Sequence, residues 1–193
     1  MTPSLPILET DRLILRQWRE ADRAPFAALC ADPEVMACFP APLARAESDA
    51  IVERCTSLIA ARGWGLWAVE AKAAGTCIGL IGLHVPAAAL PFSPGVEISW
   101  RLARAWWGQG LACEGARAAL GFGFDALSLD EIVAFTTLAN ARSRALMARL
   151  GMARDDAGDF DHPDLPAGHP LQRHCLYRLP RRQWQADAPT GSR

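Results

Sequence analysis

The sequence predicts a mixed α/β fold, and three observations carry this prediction. Short runs rich in β-branched and aromatic residues alternate with longer segments whose apolar residues recur at helical spacing. Stretches rich in glycine or proline separate several of these segments. The resulting order is β-α-α-β-β-β-α-β-α-β, with one optional strand before the last. Because helices in this order cannot all lie on one face, we expect a mixed sheet with helices on both sides.

The first half of the chain supplies a strand, two helices and a hairpin. The first strand is predicted because polarity alternates from Arg12 onward. Each helix is predicted from an apolar stripe at a spacing of three to four residues. Gly63 and Gly65 flank Trp64 and start the hairpin. The predicted elements are a strand at 8–18, a helix opening at 20–22, a helix at 46–61, and hairpin strands at 66–71 and 76–85 joined by 72–75.

The second half supplies two further strand–helix pairs and a final strand. Strict alternation in the first of these strands puts Glu97, Ser99 and Arg101 on one side. Asn140 has the side chain of a helix N-cap, and Gly151 stops the helix that follows it. The predicted elements are a flexible loop at 86–95, a strand at 96–102, a helix at 111–127, a strand at 131–138, a helix at 141–150, a long ordered loop at 155–174 and a strand at 175–179.

Composition and charge narrow the class of protein. The 193 residues suit one domain with its own core, and a net charge of -1 offers no general attraction for nucleic acid or an anionic membrane. The six cysteines form no Cys-x-x-Cys pair, so neither a zinc knuckle nor a thioredoxin-type site is expected, and scattered cysteines suit small buried hydrophobic residues in a reducing compartment. No basic segment followed by an apolar stretch opens the chain, and no apolar run is long enough to span a bilayer. We therefore expect a cytoplasmic protein that binds no metal.

The most informative segment is the glycine-rich turn Trp107–Ala112, which joins a predicted strand to a predicted helix. Such a turn leaves backbone N–H groups pointing outward at a helix N-terminus. These donors and the positive end of the helix dipole suit a phosphate or pyrophosphate group. The turn therefore predicts a site for a phosphate-bearing ligand.

Three segments resemble the GNAT superfamily of acetyl-CoA-dependent N-acetyltransferases, and within it the RimJ/RimL-like branch. They are the opening Glu9-Thr10-Asp11-Arg12-Leu13, the strand 97–102 that leads to the turn, and Asn140-Ala141-Arg142-Ser143 before a helix ending in Arg149-Leu150-Gly151-Met152. The resemblance covers nearly the whole chain. It implies a mostly antiparallel central sheet of six or seven strands, splayed in the middle, with helices on both faces. It also implies that residues 1–193 form a single acyl-CoA N-acyltransferase domain, with flexible tails at 1–7 and 185–193.

The resemblance implies which residues contact the cofactor. The superfamily pattern maps onto Trp107, Gly110 and Ala112, and tryptophan at its first position departs from the general pattern. Pantetheine would form hydrogen bonds, like an extra strand, with the main chain of Ile98–Trp100. Asn140 would form a hydrogen bond with the pantetheine arm. The implied cofactor-binding residues are Ile98, Ser99, Trp100, Trp107, Gly108, Gln109, Gly110, Leu111, Ala112 and Asn140, all for acetyl-CoA as co-substrate.

The resemblance also implies catalytic residues. Ser143 would lie near the thioester sulfur and protonate the leaving thiolate, and Glu97 would take the proton of the amine. A helix N-cap for Asn140, a first-turn helix serine for Ser143 and an ion pair for Glu97 are the alternative, structural interpretations. His84 or a bound water could also serve as the base. His162, His169 and His174 lie in or beside the late proline-rich loop, where they could shape the acceptor site.

The predicted function is transfer of an acetyl group to a primary amine by direct attack in a ternary complex. The acceptor would be a protein N-terminal α-amine or a small-molecule amine. We expect Cys113 to be buried and do not expect a covalent acetyl-cysteine. One alternative is a non-catalytic acyl-CoA-binding or sensor module. Another is an acyltransferase that uses succinyl-CoA, whose carboxylate Arg101 or Arg142 could bind.

The acceptor site itself is not readable from the sequence. Segments at 24–45, 86–95 and 155–174 would form it, and Arg19, Asp22, Phe39 and Trp64 are possible members. We expect neither nucleic acid nor membrane as a partner. The chain would act as a monomer or a homodimer.

Overall fold

A computed structural model describes residues 5–86 and 89–186 of the chain. It contains eight strands and five α-helices in these ranges, with short 3-10 helices at Glu20–Asp22 and Arg104–Trp106. The strands are β1 Leu8–Glu9, β2 Leu13–Arg16, β3 Leu66–Ala71, β4 Thr76–His84, β5 Glu97–Leu102, β6 Glu131–Thr137, β7 Ala153–Asp161 and β8 Arg173–Pro180. The helices are α1 Arg23–Cys30, α2 Arg45–Arg62, α3 Leu111–Asp125, α4 Ala141–Arg149 and α5 Arg181–Ala186.

The strands follow the order β1-β2-β3-β4-β5-β6-β8-β7 in one sheet. The pairs β1–β2, β2–β3, β3–β4, β6–β8 and β7–β8 are antiparallel, whereas β5 and β6 are parallel, with Glu97 in register with Val133. The predicted mixed α/β fold is therefore confirmed. The described strands number eight, not six or seven, because β1 is a separate two-residue strand and β7 takes the place of the optional strand, over residues mostly predicted as loop.

The described residues divide into two compact units, of which the first comprises residues 5–84 and 98–119. One face of its β2–β3–β4 sheet carries Leu13 and Leu15, and helix α3 packs on this face. A Cβ at Gly115 of α3 would lie 2.6 Å from Ile81 Cδ1 and 3.2 Å from Leu13 Cδ1. Only glycine lets the helix approach the sheet so closely. This contact fixes the start of α3, and with it the end of the glycine-rich turn.

A buried ion-pair network lies on the opposite face of the same strands, because Arg16 alternates with Leu13 and Leu15. Arg16 donates from both terminal nitrogens to the Asp22 carboxylate, at 2.7 and 3.0 Å, and from Nε to Glu70 at 2.7 Å. The side chains of Arg16 and Asp22 are only 5% and 3% exposed. Removing one member of such a pair leaves an uncompensated buried charge, at a cost of about 3–5 kcal/mol. The network therefore holds the 3-10 turn before α1 against the sheet.

The second unit comprises residues 85–97 and 120–193, of which 87–88 and 187–193 lie outside the described residues. Its strands are β6, β8 and β7, and residues 131–137 of β6 pair in continuous register with 174–180 of β8. Helix α4 buries Leu146 and Met147. Helix α5 brings Trp184 to a stacked contact with Phe124, at 5.7 Å between ring centroids.

The prediction of a loop over 155–174 was wrong for its first part. Residues 153–161 form β7, which pairs with β8 and has a register irregularity between Asp155 and Phe160. The strand has no alternating apolar pattern because it lies at the edge of the sheet, where charged residues are common. Arg178 of β8 holds it by donating from Nε to Asp155 at 2.8 Å. The strand is therefore held by a cross-strand ion pair, which leaves no alternating apolar pattern in the sequence from which a strand could be predicted.

Three other predictions fall partly outside the described residues. Of the predicted flexible tails, residues 1–4 and 187–193 are not described, while 185–186 belong to α5. Of the predicted flexible loop at 86–95, residues 87–88 are not described. Within its described part, Ser93 accepts a hydrogen bond at Oγ from the Leu90 amide at 3.0 Å.

Candidate functional site

The glycine-rich turn lies between the end of β5 and the first residue of α3, as predicted. Gly108 and Gly110 have φ values of +74° and +79°, which are left-handed conformations that favour glycine. The first backbone bond into the helix runs from the Glu114 amide to the Gly110 carbonyl at 3.0 Å. The amides of Leu111, Ala112 and Cys113 precede this bond and have no partner within the helix. The turn therefore presents main-chain donors where the helix dipole is positive.

A network of side chains from the start of the chain holds this turn in place. Arg12 donates from Nη1 to the Gln109 carbonyl at 2.9 Å and from Nε to Glu114 at 2.6 Å. Thr10 donates from Oγ1 to the same carboxylate at 2.6 Å, and the Arg12 amide donates to it at 2.9 Å. We call Thr10, Arg12, Gln109 and Glu114 the turn clamp. It fixes one carbonyl inside the turn and the first full turn of α3.

The clamp also balances the negative charge of the Glu114 carboxylate with the positive charge of Arg12. Partial burial alone would raise the pKa of Glu114, but hydrogen bonds from Thr10 and Arg12 and the charge of Arg12 together lower it. The carboxylate is therefore ionised and paired at neutral pH. Beside it opens a cleft of about 440 Å³, whose lining includes Arg12, Lys72, Trp106 and Gln109.

The strand residues predicted to contact pantetheine lie in the middle of β5. Ile98 is buried, at 1% exposure, while Ser99 and Trp100 are half-buried. The strand begins with Glu97, which is 7% exposed and lies opposite Val133 in the parallel pair. Its carboxylate is therefore largely removed from solvent. His84 is the last residue of β4 and is half-buried.

Asn140 and Ser143 interact directly at the start of α4. Asn140 Oδ1 accepts from the Ser143 amide at 3.2 Å, and Asn140 Nδ2 donates to Ser143 Oγ at 3.1 Å and to Thr136 Oγ1 at 2.9 Å. The structure thus brings Asn140 and Ser143 together and gives Asn140 the N-cap role that was one of its predicted interpretations. In this contact Ser143 Oγ acts as the acceptor, through one of its two lone pairs.

The late histidines form part of an aromatic cluster that the sequence did not reveal. The His162 and His174 rings lie 5.1 Å apart, and His174 stacks on Phe160 at 5.7 Å. Phe92 and Phe135 complete the group, with centroids 5.6 Å apart. Burial is the main cause that lowers the pKa of His174, so the ring is neutral at pH 7. Its members come from three distant segments, and no local pattern links them.

His169 and Cys113 have less specific surroundings. His169 Nδ1 accepts from the Leu171 amide at 3.1 Å, which is a turn-forming contact. Cys113 was expected to be buried, but it is half-exposed in the structure. In the described ranges, no group of three or more His, Cys, Asp or Glu side chains is arranged to hold a metal ion. None of the described helices combines the length and apolar character that crossing a bilayer requires.

Comparison with known proteins identifies the class of this protein. The acetyltransferase (GNAT) domain family matches residues 12–153. An FsC-acetyl coenzyme A-N(2)-transacetylase of Aspergillus fumigatus is 30% identical over 188 residues, which are 93% of this chain and 78% of the relative. The fold and these matches define an acyl-CoA-dependent N-acetyltransferase. The chain belongs to the GNAT acetyltransferase family.

Solved structures agree with this assignment. An acetyltransferase from Agrobacterium tumefaciens is 27% identical, with a TM-score of 0.73 over 93% of this chain and 96% of that one. A RimL ribosomal alpha-N-protein acetyltransferase in complex with coenzyme A is 16% identical, with a TM-score of 0.71 over 91% and 98% of the two chains. The second likeness is one of fold.

Proposed function

We propose that the protein transfers an acetyl group from acetyl-CoA to a primary amine by direct attack in a ternary complex. The observation that carries the proposal is the clamped glycine-rich turn at the N-terminus of α3. Its ordered amides suit the pyrophosphate of coenzyme A because a helix N-terminus favours an anion. The complex of a RimL acetyltransferase with coenzyme A supports the choice of cofactor.

The turn Trp107–Ala112 binds the pyrophosphate, and the main chain of Ile98–Trp100 bonds the pantetheine arm together with Asn140. Asn140 already caps α4 and donates to two hydroxyl groups. Its part in cofactor binding is therefore to share these bonds or to orient Ser143. Binding of coenzyme A then depends mainly on backbone groups. A side-chain substitution can weaken this binding only by changing the conformation of the main chain.

The chemical step needs a base for the amine and an acid for the thiolate. Glu97 accepts a proton from the ammonium group, and the free amine attacks the thioester carbonyl. The tetrahedral intermediate loses the second proton of its nitrogen to solvent and collapses with loss of the thiolate, which takes the Ser143 proton. Ser143 recovers its proton from solvent, Glu97 releases its proton to solvent, and an amide and free coenzyme A are released. A water that relays the proton to Glu97, or His84 in its place, would leave this balance unchanged.

The acceptor belongs to one of two classes of amine. A protein N-terminal α-amine is supported by fold likeness to a RimL ribosomal alpha-N-protein acetyltransferase. A small-molecule amine is supported by the FsC-acetyl coenzyme A-N(2)-transacetylase, which resembles the chain over most of its length. The aromatic cluster around His162 and the segment 24–45 are where the acceptor side of the site is expected.

The proposal is tested by thiol release from acetyl-CoA with a panel of N-terminal peptides, amino acids, polyamines and aminoglycosides. Initial velocities over both substrates should give intersecting double-reciprocal lines. Parallel lines with an isolable acetyl-cysteine would refute direct transfer, and Cys113→Ser would then test the half-exposed thiol. Binding of acetyl-CoA by calorimetry without thiol release from any amine would favour a sensor module. Faster turnover with succinyl-CoA than with acetyl-CoA would identify succinyl-CoA as the acyl donor.

A further inference from the structure

Arg101 is a half-buried cation on β5 that none of the proposed roles uses. By strand alternation its side chain lies on the same face as that of Ser99. Its Nη1 donates to Cys30 Sγ at 3.3 Å, and its guanidinium carbon lies 4.2 Å from the centroid of the Phe39 ring. The arginine therefore points toward the end of α1 and the segment that leads to α2.

The guanidinium lacks the partners that the chain gives its other inward arginines. Its Nε is buried and donates to no acceptor in the described residues, where no carboxylate lies within ion-pair distance of it either. Arg16 and Arg178, by contrast, are each paired with two carboxylates. A sulfur atom is a weak acceptor, so the contact with Cys30 does not replace such a pair.

The neighbouring thiols supply no counter-charge. Cys55 lies close enough to Arg101 for their charges to interact, yet burial raises the pKa of its thiol to about 11. It is therefore neutral at pH 7. A partly desolvated cation that meets only a ring face and thiols retains unused hydrogen-bonding capacity, which is costly unless something else supplies an anion.

We propose that Arg101 binds a carboxylate of the amine acceptor. This inference rests on the proposed function, because it assumes that an amine is acetylated at the same site. The planar fork of a guanidinium matches a carboxylate in two parallel bonds, and its two terminal nitrogens make such a fork. Phe39, which is 38% exposed, borders the group on the solvent side. The acceptor class is therefore amines that carry a carboxylate, such as amino acids and peptides with an acidic or free C-terminal group.

The acceptor is the favoured source of the carboxylate because of where the side chain points. The main chain of Ile98–Trp100 is assigned to pantetheine, whereas the Arg101 guanidinium lies against Cys30 and Phe39. These two residues belong to the segment 24–45 that is expected to border the acceptor. A succinyl group on the donor would present the same chemistry, so the experiment must separate the two sources.

The test compares matched pairs of acceptors that differ in one charge. Each pair is a short peptide with a free C-terminal carboxylate or a C-terminal amide, or with glutamate or glutamine at its second position, assayed by thiol release from acetyl-CoA. In at least one pair the unaltered enzyme should prefer the acid by about tenfold or more in kcat/KM, as a charge-assisted pair allows. Arg101→Met should bring that ratio close to one and leave turnover of the amide member within about twofold. Arg54→Met is the matched control, because Arg54 is an exposed arginine of α2 that lies outside the segments expected to form the acceptor site.

The outcomes separate this inference from the proposed function. Equal use of acid and amide in every pair, or an acid preference that survives Arg101→Met, overturns the inference while acetyl transfer stands. A preference for succinyl-CoA that disappears in Arg101→Met assigns the carboxylate to the donor and also overturns it. No thiol release from any amine overturns the proposed function and the inference together. If Arg101→Met does not fold, Arg101→Lys keeps the charge without the fork and should retain only part of the acid preference.

Discussion

The proposed pyrophosphate site makes a strong prediction for Gly110→Asp. The substitution puts a carboxylate at the turn that is assigned to an anion, so coenzyme A should bind more weakly. A unit charge about 5 Å from a phosphate repels it by roughly 0.8 kcal/mol in water and roughly 3 kcal/mol at an effective dielectric constant near 20. At 1.4 kcal/mol per tenfold, these energies correspond to a rise in the Kd of coenzyme A of between about fourfold and about 150-fold.

Two features of the structure affect this magnitude. Gly110 has a φ of +79°, so any side chain there adds strain of about 1–2 kcal/mol that is unrelated to charge. A Cβ at this position would lie 3.6 Å from Arg12 Nη2, and attraction between the new carboxylate and Arg12 would offset part of the repulsion. Gly110→Asn controls for both shape and strain, because asparagine resembles aspartate and tolerates the same backbone conformation. The ratio of the two Kd values isolates the charge.

The assay is calorimetric titration of coenzyme A into the folded variants at low and high salt. The Kd ratio of Gly110→Asp to Gly110→Asn should be about ten or more at low salt. It should shrink as salt is added, because exposed charges are screened over about 10 Å at 0.1 M. Equal Kd values for the two variants, both folded by circular dichroism, would show that the pyrophosphate does not bind at this turn.

Three further predictions concern the clamp, the acid and the aromatic cluster. Arg12→Ala should raise the KM for acetyl-CoA severalfold and leave the KM for the amine unchanged, with a Tm loss of only a few degrees because Arg12 is 51% exposed. Arg54→Ala, at an exposed position of α2, should change neither constant. Ser143→Ala should lower kcat by about a hundredfold without changing the affinity for coenzyme A, and weaker binding instead would make Ser143 a binding residue. The depressed pKa of His174 means that the unfolded chain binds more protons, so stability should fall as pH drops below about 6.5. His174→Phe should flatten the dependence of the unfolding free energy on pH between 5 and 7. An unchanged slope would mean that other titratable groups cause the pH dependence.

Elements with a strong local signal were predicted within one or two residues. Helix α2 was predicted at 46–61 and spans Arg45–Arg62, because its end is set by Gly63, whose φ of +80° stops a helix. Strand β7 was missed because its sequence ARDDAGDFD lacks alternation and is held by pairs with β8 instead. The assignment of the whole chain to one domain stays a prediction.

The candidate site was predicted only where local chemistry defines it. The glycine-rich turn is recognisable because left-handed positions demand glycine within a few residues. The turn clamp joins Arg12 to Glu114 across 102 positions, and the aromatic cluster joins Phe92 to Phe160. No spacing rule spans such distances without a fold. The roles of Glu97, Ser143 and the cofactor-contacting residues stay predictions.

The turn clamp gives the start of the chain a physical reason for its sequence. The segment Glu9–Leu13 could be matched only to a family pattern, since neither periodicity nor charge explained it. In the structure, Thr10 and the Arg12 amide bind one oxygen of Glu114, while the Arg12 side chain binds the other and the Gln109 carbonyl. A carboxylate left unpaired in the first turns of α3 would repel the pyrophosphate that the turn is proposed to bind. If the clamp acts by removing that charge, Glu114→Gln in the Arg12→Ala background should restore much of the affinity for coenzyme A. If it acts only by fixing the Gln109 carbonyl, the second substitution should restore none.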